Sequence, residues 1–99
     1  MEFVMRVDFH PDATAELSES ANWYAERGPS AARNFLVAVD IAIASIAADP
    51  KRFMRIDDQH QSCGVIKFPF QIVYRYISNR IEVIAVAHAK RRPGYWRDR

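Results

Sequence analysis

Cysteine is almost absent from this 99-residue chain, and the chemistry that cysteine brings goes with it. The lone Cys63 excludes an internal disulfide, and one Cys with three scattered histidines (His10, His60, His88) lacks the ligand spacing of a zinc site. No metal and no cofactor are expected. Long apolar runs are missing as well. The longest, Ile41 to Ala48, is too short to span a bilayer, and the N-terminus has no basic region leading into an apolar one. A cytoplasmic protein with no membrane partner is the expectation. Repeats and low-complexity segments are lacking too, and 49% apolar with 26% charged residues is the composition of a globular protein. One domain over residues 1–99 is predicted.

What is present is charge, unevenly placed. Residues 1–49 carry three basic and eight acidic side chains, a net −5, whereas residues 50–99 carry eleven basic and four acidic, a net +7. The last fourteen residues (VAHAKRRPGYWRDR) gather Lys90, Arg91, Arg92, Arg97 and Arg99 against Asp98 alone, with Tyr95 and Trp96 among them. Such a tail suits an anionic partner, although a solvated charge distribution gives the same count.

Phe3, Met5, Val7 and Phe9 alternate with Val4, Arg6 and Asp8, the period of a strand with one buried face. His10-Pro11-Asp12 then opens a helix, in which Ala13, Leu17, Ala21 and Tyr24 recur at helical spacing until Gly28 stops it. Pro29 starts a second helix, whose stripe of Ala32, Phe35, Leu36, Val39, Ile43 and Ile46 ends at Asp49-Pro50. Two helices joined so tightly pack antiparallel. Lys51 to Ser62 has no period and reads as a surface loop with Phe53 tucked beneath it. Strands are predicted over Gly64–Phe68, Gln71–Ile77 and Ile81–Ala87, the last two joined by a hairpin at Ser78-Asn79 and covered by the helices. Arg75 is expected to line the open sheet face or to pair with Glu82. The fold class is α+β, β-α-α-β-β-β, with a helical hairpin on one face of a mostly antiparallel sheet.

The Ala31-Ala32 pair entering the second helix, the Asp49-Pro50 stop, FPFQIVYRY and IEVIAVAHAKRRPGYW together resemble the RelE/ParE superfamily of bacterial toxins over nearly the whole chain. The resemblance implies the toxin half of a type II toxin–antitoxin module with a cognate antitoxin as partner. It implies one of two targets, DNA gyrase for ParE-like members, or the ribosome and its mRNA for RelE-like endoribonucleases; a non-toxic binding domain of the same fold is the third reading. A homodimer or a toxin–antitoxin hetero-oligomer is the implied assembly.

An RNA-cleaving site needs several Lys, Arg, His or Tyr groups converging on the phosphate. Against the RelE-like pattern, Lys67 matches a strand lysine, Arg91 the arginine after the last strand, and Tyr95 or its neighbour Trp96 the C-terminal aromatic. Val65 and Gln71 stand where a second lysine and another arginine belong. His88 is a substitute proton shuttle by residue type, set against a structural histidine bonded to the backbone. The incomplete set favours the gyrase-directed reading, with Arg91, Arg92, Tyr95, Trp96 and Arg97 as the toxicity surface. Trp96 folded back over the sheet is the alternative. Trp23, Tyr24 and Phe35 are the candidate antitoxin contacts, and Trp23 packed under the loop at Phe53 is the alternative for that residue.

Overall fold

The computed structural model describes residues 5–99, so the expected strand positions Phe3 and Val4 lie outside the described residues. Strand β1 (Arg6–Phe9) leads into helices α1 (Pro11–Ala25) and α2 (Pro29–Ala48), followed by strands β2 (Met54–Arg55), β3 (Gln61–Gly64), β4 (Phe70–Ile77) and β5 (Arg80–His88). The sheet runs β1-β5-β4-β3-β2, and only the β1/β5 pair is parallel. The expected α+β architecture is present, with one extra strand.

Helix α1 begins where the His10 ring accepts the Asp12 N–H (3.0 Å) at Nδ1 and Pro11 presets the first turn. The two helices join at Gly28, whose φ of +152° suits glycine alone. Phe35, Val39, Ala42 and Ile46 form the buried stripe of α2; Ala42 is inside, while Leu36, predicted to be inside, is 39% exposed at the margin. By length and composition α2 would cross a membrane, further than the Ile41–Ala48 run suggests, but its stripe packs on the sheet as in a core helix. The other wall of that core is Ile72, Tyr74, Ile81, Val83 and Val86.

Lys51–Ser62 is not a plain loop. It holds β2 and the start of β3, and His60, Gln61 and Ser62 are buried. Hydropathy concealed this because the inward groups are polar and satisfied: the Gln61 amide donates to the carbonyls of Pro50 (3.0 Å) and Phe53 (3.1 Å). Nor does a strand run from Gly64 to Phe68. The chain turns back between Val65 and Phe70: the Val65 N–H donates to the Phe70 carbonyl (3.0 Å) and the Phe68 N–H to the Val65 carbonyl (3.1 Å), with Lys67 at a φ of +70°. The β4/β5 hairpin is as expected, with Ser78 and Asn79 both at positive φ, the pair of values a two-residue turn of matching twist requires. Arg75 pairs with Glu82 across it (2.8 Å).

One irregularity positions the site. Val73 faces Ala85 and Tyr74 faces Val83, so Ile84 is an extra residue in β5, a bulge that turns Ile84 and Ala85 to the same face. That face is the one away from the helices, and helices do not cover it. Val73, Ile84, Ala85 and Ala87 are instead buried under Trp96 and Tyr95 of the tail.

Candidate functional site

Strand β1 pairs with β5 only as far as Val83, whose carbonyl takes the His10 N–H (2.8 Å). Past that point the outer edge of β5 has no strand beside it among the described residues, yet its polar groups are buried and need partners. Glu16, from the second turn of α1, supplies one: its Oε1 accepts the Val86 N–H (3.0 Å). Arg99 supplies the other, donating to the carbonyl of the bulged Ile84 (3.0 Å). The two are bonded to each other, Arg99 Nη1 to Oε1 at 2.9 Å and Nη2 to Oε2 at 3.0 Å, and the Tyr95 hydroxyl donates to Oε2 (2.6 Å). Glu16 is 11% exposed at its side chain. Burial first, and then the bond to Glu16, push the Tyr95 phenol far above its ordinary value, while Glu16 holds Arg99 charged.

A second clasp lies across the sheet. Asp57 accepts the N–H groups of Gln59 and His60 (both 2.8 Å) and bonds His60 Nδ1 (2.9 Å), which orders the turn entering β3. His60 lies buried under Trp96, ring centroids 4.7 Å apart, with Nε2 unpartnered among the described residues. Arg97 reaches the same carboxylate, Nε to Oδ2 at 3.3 Å. It does so by lying across Gly94, where an added Cβ would meet the guanidinium at 1.8 Å. Gly94 also has a φ of +77°. Gly94→Ala is therefore expected to cost about 1–2 kcal/mol from the left-handed backbone and to push Arg97 off Asp57; urea denaturation with NMR of the Arg97 side chain measures both.

The Gln59 N–H above all, joined by the His60 ring and N–H, keeps the Asp57 carboxyl well below the usual carboxylate range. A carboxyl depressed in the folded state gives stability that is complete above the unfolded value near pH ~4 and is lost as pH falls towards the folded one. Asp57→Asn is thus expected to flatten the acid limb of the stability curve below about pH 4, read by urea titrations at stepped pH.

The clasps divide the tail's cations into two groups. Arg97 and Arg99 are bound internally, whereas the charged groups of Lys90, Arg91 and Arg92 have no hydrogen-bond or ion-pair partner among the described residues. These three stand on a turn closed by the Lys90 N–H donating to His88 Nδ1 (3.0 Å) and the Arg91 N–H to the His88 carbonyl (3.0 Å). The Arg91 guanidinium lies over the Tyr95 ring at 4.0 Å, which fixes its plane and leaves its N–H edge free. Beside the turn is an open cleft of about 250 Å³ between the tail and β4/β5, lined by Gln71, Val73, His88, Arg91, Arg92 and Trp96 among others.

Several expected site residues sit elsewhere. Trp96 is 5% exposed and belongs to the core of the far face, so it offers no docking surface. Arg97 is committed to Asp57, and the Tyr95 hydroxyl to Glu16. Lys67 is on the Val65–Phe70 turn and does not line the cleft; Arg91, His88 and Tyr95 do. His88 bonds the backbone through the Lys90 N–H instead of a carbonyl. Phe35 is fully buried against Tyr24, Phe68 and Phe70, which removes it from any docking surface. Tyr24 is half-buried in that cluster, and Trp23 is 50% exposed beneath the Arg27 guanidinium (3.3 Å) instead of packed at Phe53. Glu16, Asp57, His60 and Lys90 are the residues that sequence reasoning missed. Asp57 and His60 had a signal, an Asp two and three residues before N–H groups that it bonds; Glu16 had none, since its partners lie 70 to 83 positions away.

With this geometry established, resemblance to known proteins is specific. A family model described as the ParE toxin of type II toxin–antitoxin system, parDE, matches residues 7–93. No curated protein matches the sequence. Among solved structures, a chain of the chromosomal ParDE toxin–antitoxin system from P. aeruginosa superposes with a TM-score of 0.75 at 13% identity, covering 88% of this chain and 98% of that one. At that identity the likeness is one of fold.

Proposed function

The chain belongs to the ParE toxin family of type II toxin–antitoxin systems, and from that premise we propose that it arrests growth by binding DNA gyrase through the Lys90–Arg92 turn, without cleaving RNA itself. The observation that carries this reading is the split among the tail's polar groups. Three cations stand free on one turn, while among the candidate proton-transfer groups the Tyr95 hydroxyl and Nδ1 of His88 are engaged. A proton shuttle needs a group free to reach its substrate. The Tyr95 hydroxyl is donated to a buried carboxylate, and Lys67 is on a separate turn. Free guanidinium and ammonium groups on a firm base suit recognition of an anionic surface, where complementary charge sets the on-rate and the register.

Membership of the family also makes a cognate antitoxin the expected partner. The test of the target uses purified toxin in two assays. Gyrase supercoiling is expected to be inhibited, or gyrase-linked DNA breaks to accumulate, while mRNA in a ribosome-containing translation extract stays intact. Codon-phased mRNA cuts that disappear on Arg91→Ala would overturn the reading in favour of the endoribonuclease.

A further inference from the structure

The three free cations of the turn are not equivalent, because one of them is held. The Arg91 guanidinium lies 4.0 Å from the centre of the Tyr95 ring, whereas neither Lys90 nor Arg92 lies over a ring among the described residues. The ring is itself anchored. Its hydroxyl donates to Glu16 Oε2 (2.6 Å), the Arg99 guanidinium approaches it at 5.2 Å, and it packs on the buried group of Val73, Ile84, Ala85, Ala87 and Trp96. Burial, and then the bond to Glu16, keep the phenol protonated, so this anchor persists near neutral pH. A chain of contacts thus runs from the Glu16 carboxylate through the Tyr95 ring to Arg91. The cleft beside Arg91 has no carboxylate in its lining among the described residues, so no acid within the cleft claims the guanidinium.

A guanidinium can give two parallel N–H bonds to one carboxylate, a geometry that an ammonium cannot reproduce. Its plane must be set for that. An unrestrained arginine loses rotamer freedom when it is caught, and a plane already set by a ring loses less. We propose that Tyr95 is a positioning residue for target recognition: its ring sets the plane of Arg91, whose open edge takes both oxygens of a carboxylate on the gyrase surface. Lys90 and Arg92 add charge, and Arg91 adds geometry. The inference rests on the gyrase-binding reading above, and it assigns the tyrosine a role that needs its ring and not its hydroxyl proton.

The test compares Tyr95→Phe, which keeps the ring, with Tyr95→Leu, which removes it, and Arg91→Lys, which keeps the charge and loses the fork. Ring-current shifts of the Arg91 side-chain protons in NMR spectra are expected in the parent and in Tyr95→Phe, and should vanish in Tyr95→Leu. Gyrase inhibition, measured at equal concentrations of folded protein, should weaken about tenfold in Tyr95→Leu and in Arg91→Lys, the scale of one charge-assisted bond. Tyr95→Phe should restore most of it. Full potency in Arg91→Lys or in folded Tyr95→Leu overturns the proposal, and so does Tyr95→Phe as weak as Tyr95→Leu. Binding of a plain DNA duplex that depends on Arg91 overturns the carboxylate as its partner. A parent that arrests growth without inhibiting gyrase removes the gyrase reading, and the same rank order in growth arrest then decides the role of Tyr95 by itself.

Discussion

Replacing Glu16 by alanine is expected to destabilise the protein by about 3–5 kcal/mol, the usual result of removing one member of a buried ion pair. The side chain is bonded to Val86 N–H, Tyr95 O–H and the Arg99 guanidinium, and the first two have no other acceptor among the described residues. Arg99 retains only the Ile84 carbonyl and a looser approach to Asp12 (3.5 Å). Glu16→Gln should cost less, since the amide oxygen still accepts from two donors; about 1–3 kcal/mol is the scale of the hydrogen bonds to charge that it loses. Removing both ends tests the cause. In Glu16→Leu with Arg99→Leu no charge is left unpaired, and much of the loss is expected to return. Denaturant melts give the energies, and trypsin cleavage after Arg97, which Asp57 holds while the tail is docked, reports whether the tail has left the sheet.

The second large effect separates binding from folding. Alanine at Lys90, Arg91 and Arg92 together is expected to leave the melting profile within about 1 kcal/mol of the parent, the scale of the exposed Arg91–Tyr95 stack that it removes. Growth inhibition and gyrase inhibition should nevertheless fall by about a hundredfold or more, because charged anchors of an interface carry ~2 kcal/mol or more. Trp96→Ala is the converse. It empties the centre of the far-face core and should cost about 3–5 kcal/mol, so its loss of toxicity follows loss of fold. Potency set beside stability for the two variants decides the point: a stable triple variant that still arrests growth would remove the turn from the toxic surface.

The helical hairpin and the β4/β5 hairpin were legible because their signals are local. Pro11, Gly28 and Pro29 punctuate the helices within a few residues, and Ser78-Asn79 marks a turn by its own chemistry. β3 was misplaced because it opens on the buried polar pair Gln61 and Ser62, the first bonded to the carbonyls of Pro50 and Phe53, and so carries no apolar period. The tail was read correctly as basic and incorrectly as uniform. Its composition counts Arg91 and Arg99 alike, and only the fold shows that one has a carboxylate beneath it. The same holds for Trp96: an aromatic in a basic tail suits a docking surface or a core lid equally, and the choice depends on the Ile84 bulge, a register feature with no sequence mark of its own.

The bulge has one more consequence. By ending its partnership with β1 at Val83, β5 carries a stretch of apolar strand whose open side is closed, among the described residues, by Glu16 and by residues 95 to 99. The family match stops at residue 93, short of that closure. An apolar strand edge without a cover is a template for other chains. A copy nicked or truncated after Pro93 would therefore present Ile84 to Ala87 to its neighbours and join them edge to edge. Residues 95 to 99 thus shield a strand edge from other chains as well as covering the far face of the sheet.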